Sequence, residues 1–133
     1  MRRLTAPDAP VPADPPIVQA IPGCVVTRVA VDDSFTLTLC GIDREILLRI
    51  DGAGDLAGTA FDPDRDPLTV APLLRTLNRR VDGARIAADG GLALDIGGDL
   101  LRVFPSDHVV SWSMRGPDGT SASCLAEGKV VWQ

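Results

Sequence analysis

On both sides of Pro117-Asp118-Gly119, apolar residues alternate with small polar ones. No other stretch restricts the fold as much, because a period of two belongs to a strand with one buried face. Pro-Asp-Gly suits a type I turn followed by a glycine bulge, which folds the two halves onto each other. Pairing Gly116 with Thr120 then sets Met114 opposite Ala122, Trp112 opposite Cys124 and Val110 opposite Ala126. Large residues face small ones, so Cys124 reads as a packing residue that leaves room for an indole. Lys129 to Trp132 is read as a last strand closing the sheet. The competing reading makes Trp112 and Trp132 an exposed aromatic platform, but the alternating neighbours of Trp112 favour a core.

The same logic organises the rest of the chain. Leu92, Leu94 and Ile96 alternate up to Gly97-Gly98, where both positions can take positive φ. The hairpin register sets Leu94 against Leu101, Leu92 against Val103 and Ala93 against Arg102. Near the start, a β-branched run ends at Asp32-Asp33. Phe35, Leu37 and Leu39 then alternate with threonines, and Ile46, Leu48 and Ile50 share one face. These three segments predict an antiparallel meander. A modest strand is expected over residues 83–88.

Gly52 to Asp66 has no clear period and is read as a loop. After it, Val70, Leu73, Leu74 and Leu77 fall at helical spacing, predicting one short helix from Val70 to Leu77. Thr69 is the expected N-cap, because a cap at Asp66 would place Pro72 in the helix interior. Asn78 can end the helix in the left-handed region. Residues 1–16, rich in proline, alanine and aspartate, read as an extended, disordered tail. The expected architecture is a mainly β (α+β) domain over residues 17–133. It consists of an antiparallel, strongly twisted or partly closed sheet of about seven to nine strands, with one short helix.

Charge and cysteine content narrow the function. With 133 residues and a net charge of −5, the chain lacks the basic footprint that nucleic acid or an anionic membrane surface requires. A basic protein partner suits it better. Cys24, Cys40 and Cys124 form no close pair and read as buried thiols of a reducing cytoplasm. No apolar segment follows the two N-terminal arginines, and no run approaches the ~20 apolar residues of a membrane helix. The expected location is therefore cytoplasmic.

Motifs for chemistry are weak. GAGDLAG, Gly52 to Gly58, follows a strand but lacks both the G-x-G-x-x-G spacing and a helix behind it. Asp62, Asp64 and Asp66 begin like a calcium loop, yet Pro67 stands where glycine is needed and Leu73 where glutamate is needed. Ser106-Asp107-His108 cannot converge as a triad, because neighbours in an extended segment point apart. No cofactor, metal or catalytic group is assigned.

The C-terminal signature carries a resemblance. Trp112, Gly116-Pro117-Asp118-Gly119, Cys124, Gly128 and Trp132 resemble the tail of a family of short bacterial domains of unknown function, common in actinobacteria. Related small domains beside polymorphic toxins look like immunity proteins. The resemblance covers about residues 20–132. It departs from the family pattern at Ser111, where members often carry an acidic residue, and at Ala126-Glu127-Gly128 in place of Pro-Gly-Gly. It implies no catalytic residues. Together with the acidic balance, it implies a non-enzymatic immunity protein that occludes a cognate basic toxin. Asp32, Asp33, Asp62, Asp64 and Asp66 are the expected contacts, and the protein is expected to be a monomer or homodimer. The alternatives are a regulatory domain that self-associates through a sheet edge, and a small-ligand binder or minor enzyme using the concave sheet face.

Overall fold

The alternating segments pair as their periods require. A computed structural model describes residues 14–133. β1 (Val25–Val31), β2 (Phe35–Cys40) and β3 (Glu45–Ile50) form the expected antiparallel meander. β9 (Trp112–Arg115) and β10 (Ser121–Cys124) form the hairpin around Pro117, with Met114 opposite Ala122 and Trp112 opposite Cys124. β11 (Val130–Trp132) adds outside β10, and β9 pairs with β3, giving a six-stranded sheet in the order β1-β2-β3-β9-β10-β11.

A second sheet of five strands has the order β5-β4-β8-β7-β6. Its strands are β4 (Gly54–Leu56), β5 (Thr59–Phe61), β6 (Val81–Ile86), β7 (Leu92–Ile96) and β8 (Asp99–Val103). The β7–β8 register is the expected one, and Gly97 and Gly98 both take positive φ in its turn. The expectation of one sheet with seven to nine strands is thus corrected to eleven strands in two sheets among the described residues. The difference lies partly in residues 52–66, read as a loop but containing the β4–β5 hairpin. Three-residue strands are too short to display a period. Its glycines have packing roles: a Cβ on Gly54 would meet the Arg102 carbonyl, and one on Gly52 would fall 2.7 Å from Ser111 Cβ.

The helical segment also differs. Pro67–Val70 is a 3₁₀ turn capped by Asp66, whose Oδ1 accepts from the Leu68 N–H at 2.9 Å. A four-residue α-helix, Ala71–Leu74, follows it. Because a new helix begins there, Pro72 sits in a first turn even with Asp66 as the cap. Thr69 serves a different purpose: its Oγ1 accepts from the Asp62 N–H at 2.8 Å and ties the loop to the turn. The helix ends before Leu77, so Leu74 and Leu77 stay exposed while Leu73 is buried. Asn78 takes φ 65°, and its N–H donates to Val26 O at 2.7 Å. Of the tail expected over 1–16, residues 1–13 lie outside the described residues. A second short helix, Pro16–Gln19 (here α1), opens on a proline and buries Ile17 and Val18.

The two sheets share one hydrophobic cluster. Aligned across the first sheet are Phe35, Ile50, Trp112 and Cys124, and beside them Leu37, Leu48, Met114 and Ala122. All eight are buried. Phe35 meets Phe61 of the second sheet edge to face, with ring centroids 6.2 Å apart. Backbone bonds also join the segment just before β1 to β6: Gly23 N–H donates to Val81 O, and Val81 N–H to Cys24 O, both at 2.8 Å. Val110 does not pair with Ala126 as expected. The β9–β10 ladder stops at Trp112 and Cys124, and Ala126–Gly128 forms a 3₁₀ turn. The Pro117 turn keeps the expected register, but Asp118 takes φ 59° as well as Gly119 φ 76°, so it is not type I. Thr120 Oγ1 donates to Pro117 O at 2.6 Å and closes it.

Candidate functional site

The five expected contact aspartates separate into structural and free groups. Asp32 shapes the β1–β2 turn: its Oδ1 accepts from the Ser34 N–H at 2.9 Å and from Ser34 Oγ at 3.2 Å. The Ser34 backbone donor, above all, holds the Asp32 carboxyl below its ordinary value. Asp62 Oδ1 accepts from the Asp64 N–H at 3.1 Å, and Asp66 caps the 3₁₀ turn. Asp33 and Asp64 are exposed, and neither holds a turn.

Asp33 and Asp64 meet. They line one surface depression of about 350 Å³ with Arg49, Asp51, Val109 and Val110. The wall comes from four separated parts of the chain. Asp33 stands on the β1–β2 turn, and Arg49 and Asp51 at the end of β3. Asp64 comes from the loop after β5, and the valines from the segment before β9. Arg49 Nε donates to Asp51 Oδ2 at 2.9 Å, and Arg49 Nη2 lies 3.9 Å from Asp33. One guanidinium and three carboxylates line the depression, so its lining is net acidic. Val109 and Val110 give it an exposed apolar rim.

Asp62 and Asp66 lie apart from this group. They line a second cleft of about 460 Å³ with Phe61, Arg65, Thr69 and Phe104. Asp32 lines neither. The sequence reading missed Arg49, Asp51, Val109 and Val110. Arg49 was accessible to it, since it occupies the outward phase between Leu48 and Ile50. The valines carried no signal, because their segment has no regular structure.

The weaker motifs have structural roles. Ser106 Oγ accepts from the N–H groups of His108 and Val109 at 3.2 and 3.3 Å, so the hydroxyl holds a local turn. Among the described residues, no group of three or more His, Cys, Asp or Glu is placed to hold a metal. Cys24 and Cys124 are buried, and desolvation, above all, pushes the Cys24 thiol up. Cys40 departs from the expected burial, because the alternation of β2 puts it on the outer face, where it lies 3.3 Å from Thr27 Oγ1. Trp112 is fully buried and Trp132 is exposed, so the two form no shared platform.

Residues 17–133 match a family described as a family of unknown function, DUF6188. The chain belongs to it. The match runs from Ile17, within α1, through β11 and includes every residue of the acidic depression. No curated protein and no solved structure matches the chain. Among the described residues of this DUF6188 chain, no helix is long and apolar enough to cross a membrane.

Proposed function

We propose that the protein is a non-enzymatic binding protein that docks a basic protein partner at the Asp33–Asp51–Asp64 depression. In this reading it is an immunity protein, holding a cognate toxin inactive by occlusion. The observation that carries the docking surface is that three carboxylates from separate segments line one depression with a single guanidinium, beside two exposed valines. Carboxylates steer a basic surface into place, and the valines supply apolar area to bury. The toxin assignment rests on the net charge of −5 and on the resemblance of the C-terminal signature. A small-ligand site on the concave sheet face is less favoured, because Leu37, Leu48, Leu94, Ile96 and their neighbours fill that space.

The test uses Asp33→Lys with Asp64→Lys, because reversing Asp32, Asp62 or Asp66 would also break a turn. The wild-type chain should retain a basic protein from its host at moderate salt. The double variant should associate at least about tenfold more slowly, with a flatter salt dependence. The captured protein should arrest growth of a heterologous host unless this chain is co-expressed. An unchanged association rate and salt dependence would remove the surface assignment. A partner that leaves growth unaffected would remove the toxin.

A further inference from the structure

Each sheet has two edges, and the chain treats one of the four differently. An edge strand presents unpaired N–H and C=O groups, and proteins commonly cover or interrupt them. The β1 edge is occupied at its start, where Val26 N–H donates to Arg79 O at 2.9 Å and Val25 bridges Arg80. Beyond that, a register shift between Val26 and Arg28 breaks it. The β6 edge is covered by α1, and its Ile86 N–H donates to the Asp14 carboxylate at 3.3 Å. β5 is three residues long, with the 3₁₀ turn and the following helix packed beside it.

β11 has no such cover among the described residues. Ser121 and Gln133 exchange both of their backbone bonds, and Leu125 N–H donates to Lys129 O. The antiparallel alternation therefore turns Val131 toward β10, and turns the N–H and C=O groups of Val130 and Trp132 outward. Val131 is 39% exposed and Trp132 55%. No charged side chain, proline or bulge interrupts Val130–Trp132.

We infer that β11 is a self-association surface whose partner is β11 of a second copy, paired antiparallel about a two-fold axis through Val131. The segment is self-complementary in this register. Val130 faces Trp132 of the other copy and Trp132 faces its Val130. All four outward-facing residues are then engaged in hydrogen-bonded pairs, and Val131 meets its own counterpart between them. The faces match as well. Val130 and Trp132 lie on the core-facing side, aligned with Cys124 and Ala122, so each indole would cover a valine across the axis. Lys129 falls opposite Gln133, so no like charges meet. The result is a continuous twelve-stranded sheet from two six-stranded ones. The contact is small, which makes the dimer weak and concentration-dependent.

Sedimentation velocity of the full chain over a concentration series provides the test. Its mass should rise from 14.0 kDa toward twice that value. Val131→Lys and Val131→Glu each place like charges across the axis and should self-associate about tenfold more weakly. An equimolar mixture of the two should recover the dimer, because Lys then faces Glu. Both changes are at an exposed side chain and leave the backbone pairing with β10 intact, so circular dichroism should match wild type. A monomeric wild type overturns the inference and means that the edge is closed by another segment or a different protein. Variants that dimerise like wild type, or a mixture that stays monomeric, overturn it too.

Discussion

Replacing Trp112 with alanine is expected to cost about 3–5 kcal/mol, a large share of the stability of a domain this size. The indole is fully buried, with Ile50 and Cys124 as its neighbours on adjacent strands. No nearby chain end or loose loop can collapse into the space, since both flanking strands are fixed in the sheet. The ring is also a polar tie: Nε1 donates to Gly90 O at 3.0 Å, joining the first sheet to the β6–β7 turn of the second. Trp112→Phe separates the two contributions. It keeps most of the volume, removes the donor and should cost about 1–3 kcal/mol. Urea unfolding followed by circular dichroism measures both. An alanine variant within 1 kcal/mol of wild type, by the same ~3–5 kcal/mol yardstick, would show that the site relaxes freely.

Gly90→Ala is the second large effect, expected at about 3–5 kcal/mol from backbone strain and collision together. Gly90 takes φ 95°, and a Cβ there would meet the carbonyl of Gly128, whose own φ is 84°. The obstacle is backbone, so no side chain can swing aside. Gly98→Ala is the control. Its φ is 91°, but nothing lies within 4 Å of an added Cβ. It should cost only the left-handed strain, about 1–2 kcal/mol. Equal urea midpoint shifts for the two variants would mean that the approach of Gly90 to Gly128 is not tight.

The hairpins were legible because their causes are local. Alternation picks the buried face, and a Gly-Gly or Pro-Asp-Gly turn then fixes which residues oppose each other. The short helix was half legible: the stripe was visible, but the 3₁₀ turn before Pro72 resolves a conflict that propensity alone could not. The β4–β5 hairpin was hidden by its glycines, which are there to let backbone and ring approach. The acidic depression was least visible. Asp33 and Asp64 were readable as acidic positions, but their meeting depends on how the two sheets stack, and nothing near either residue encodes that.

The β3–β9 pairing has a consequence for the order of folding. Leu47 lies opposite Arg115 and Ile50 opposite Trp112, and the whole five-stranded sheet is strung between them. The six-stranded sheet is therefore two local meanders whose joining must wait for a distant loop closure. Local contacts form quickly and distant ones slowly. The intervening strands shorten that wait once folded, since Phe104 N–H donates to Ala53 O and Gly52 N–H to Ser111 O at the base of the insertion. Until then the facing edges of β3 and β9 are both bare, and the chain is most vulnerable to aggregation. Trp112 sits at that seam, so its fluorescence should settle after the circular dichroism signal in a refolding experiment. Simultaneous signals would mean that the seam closes early.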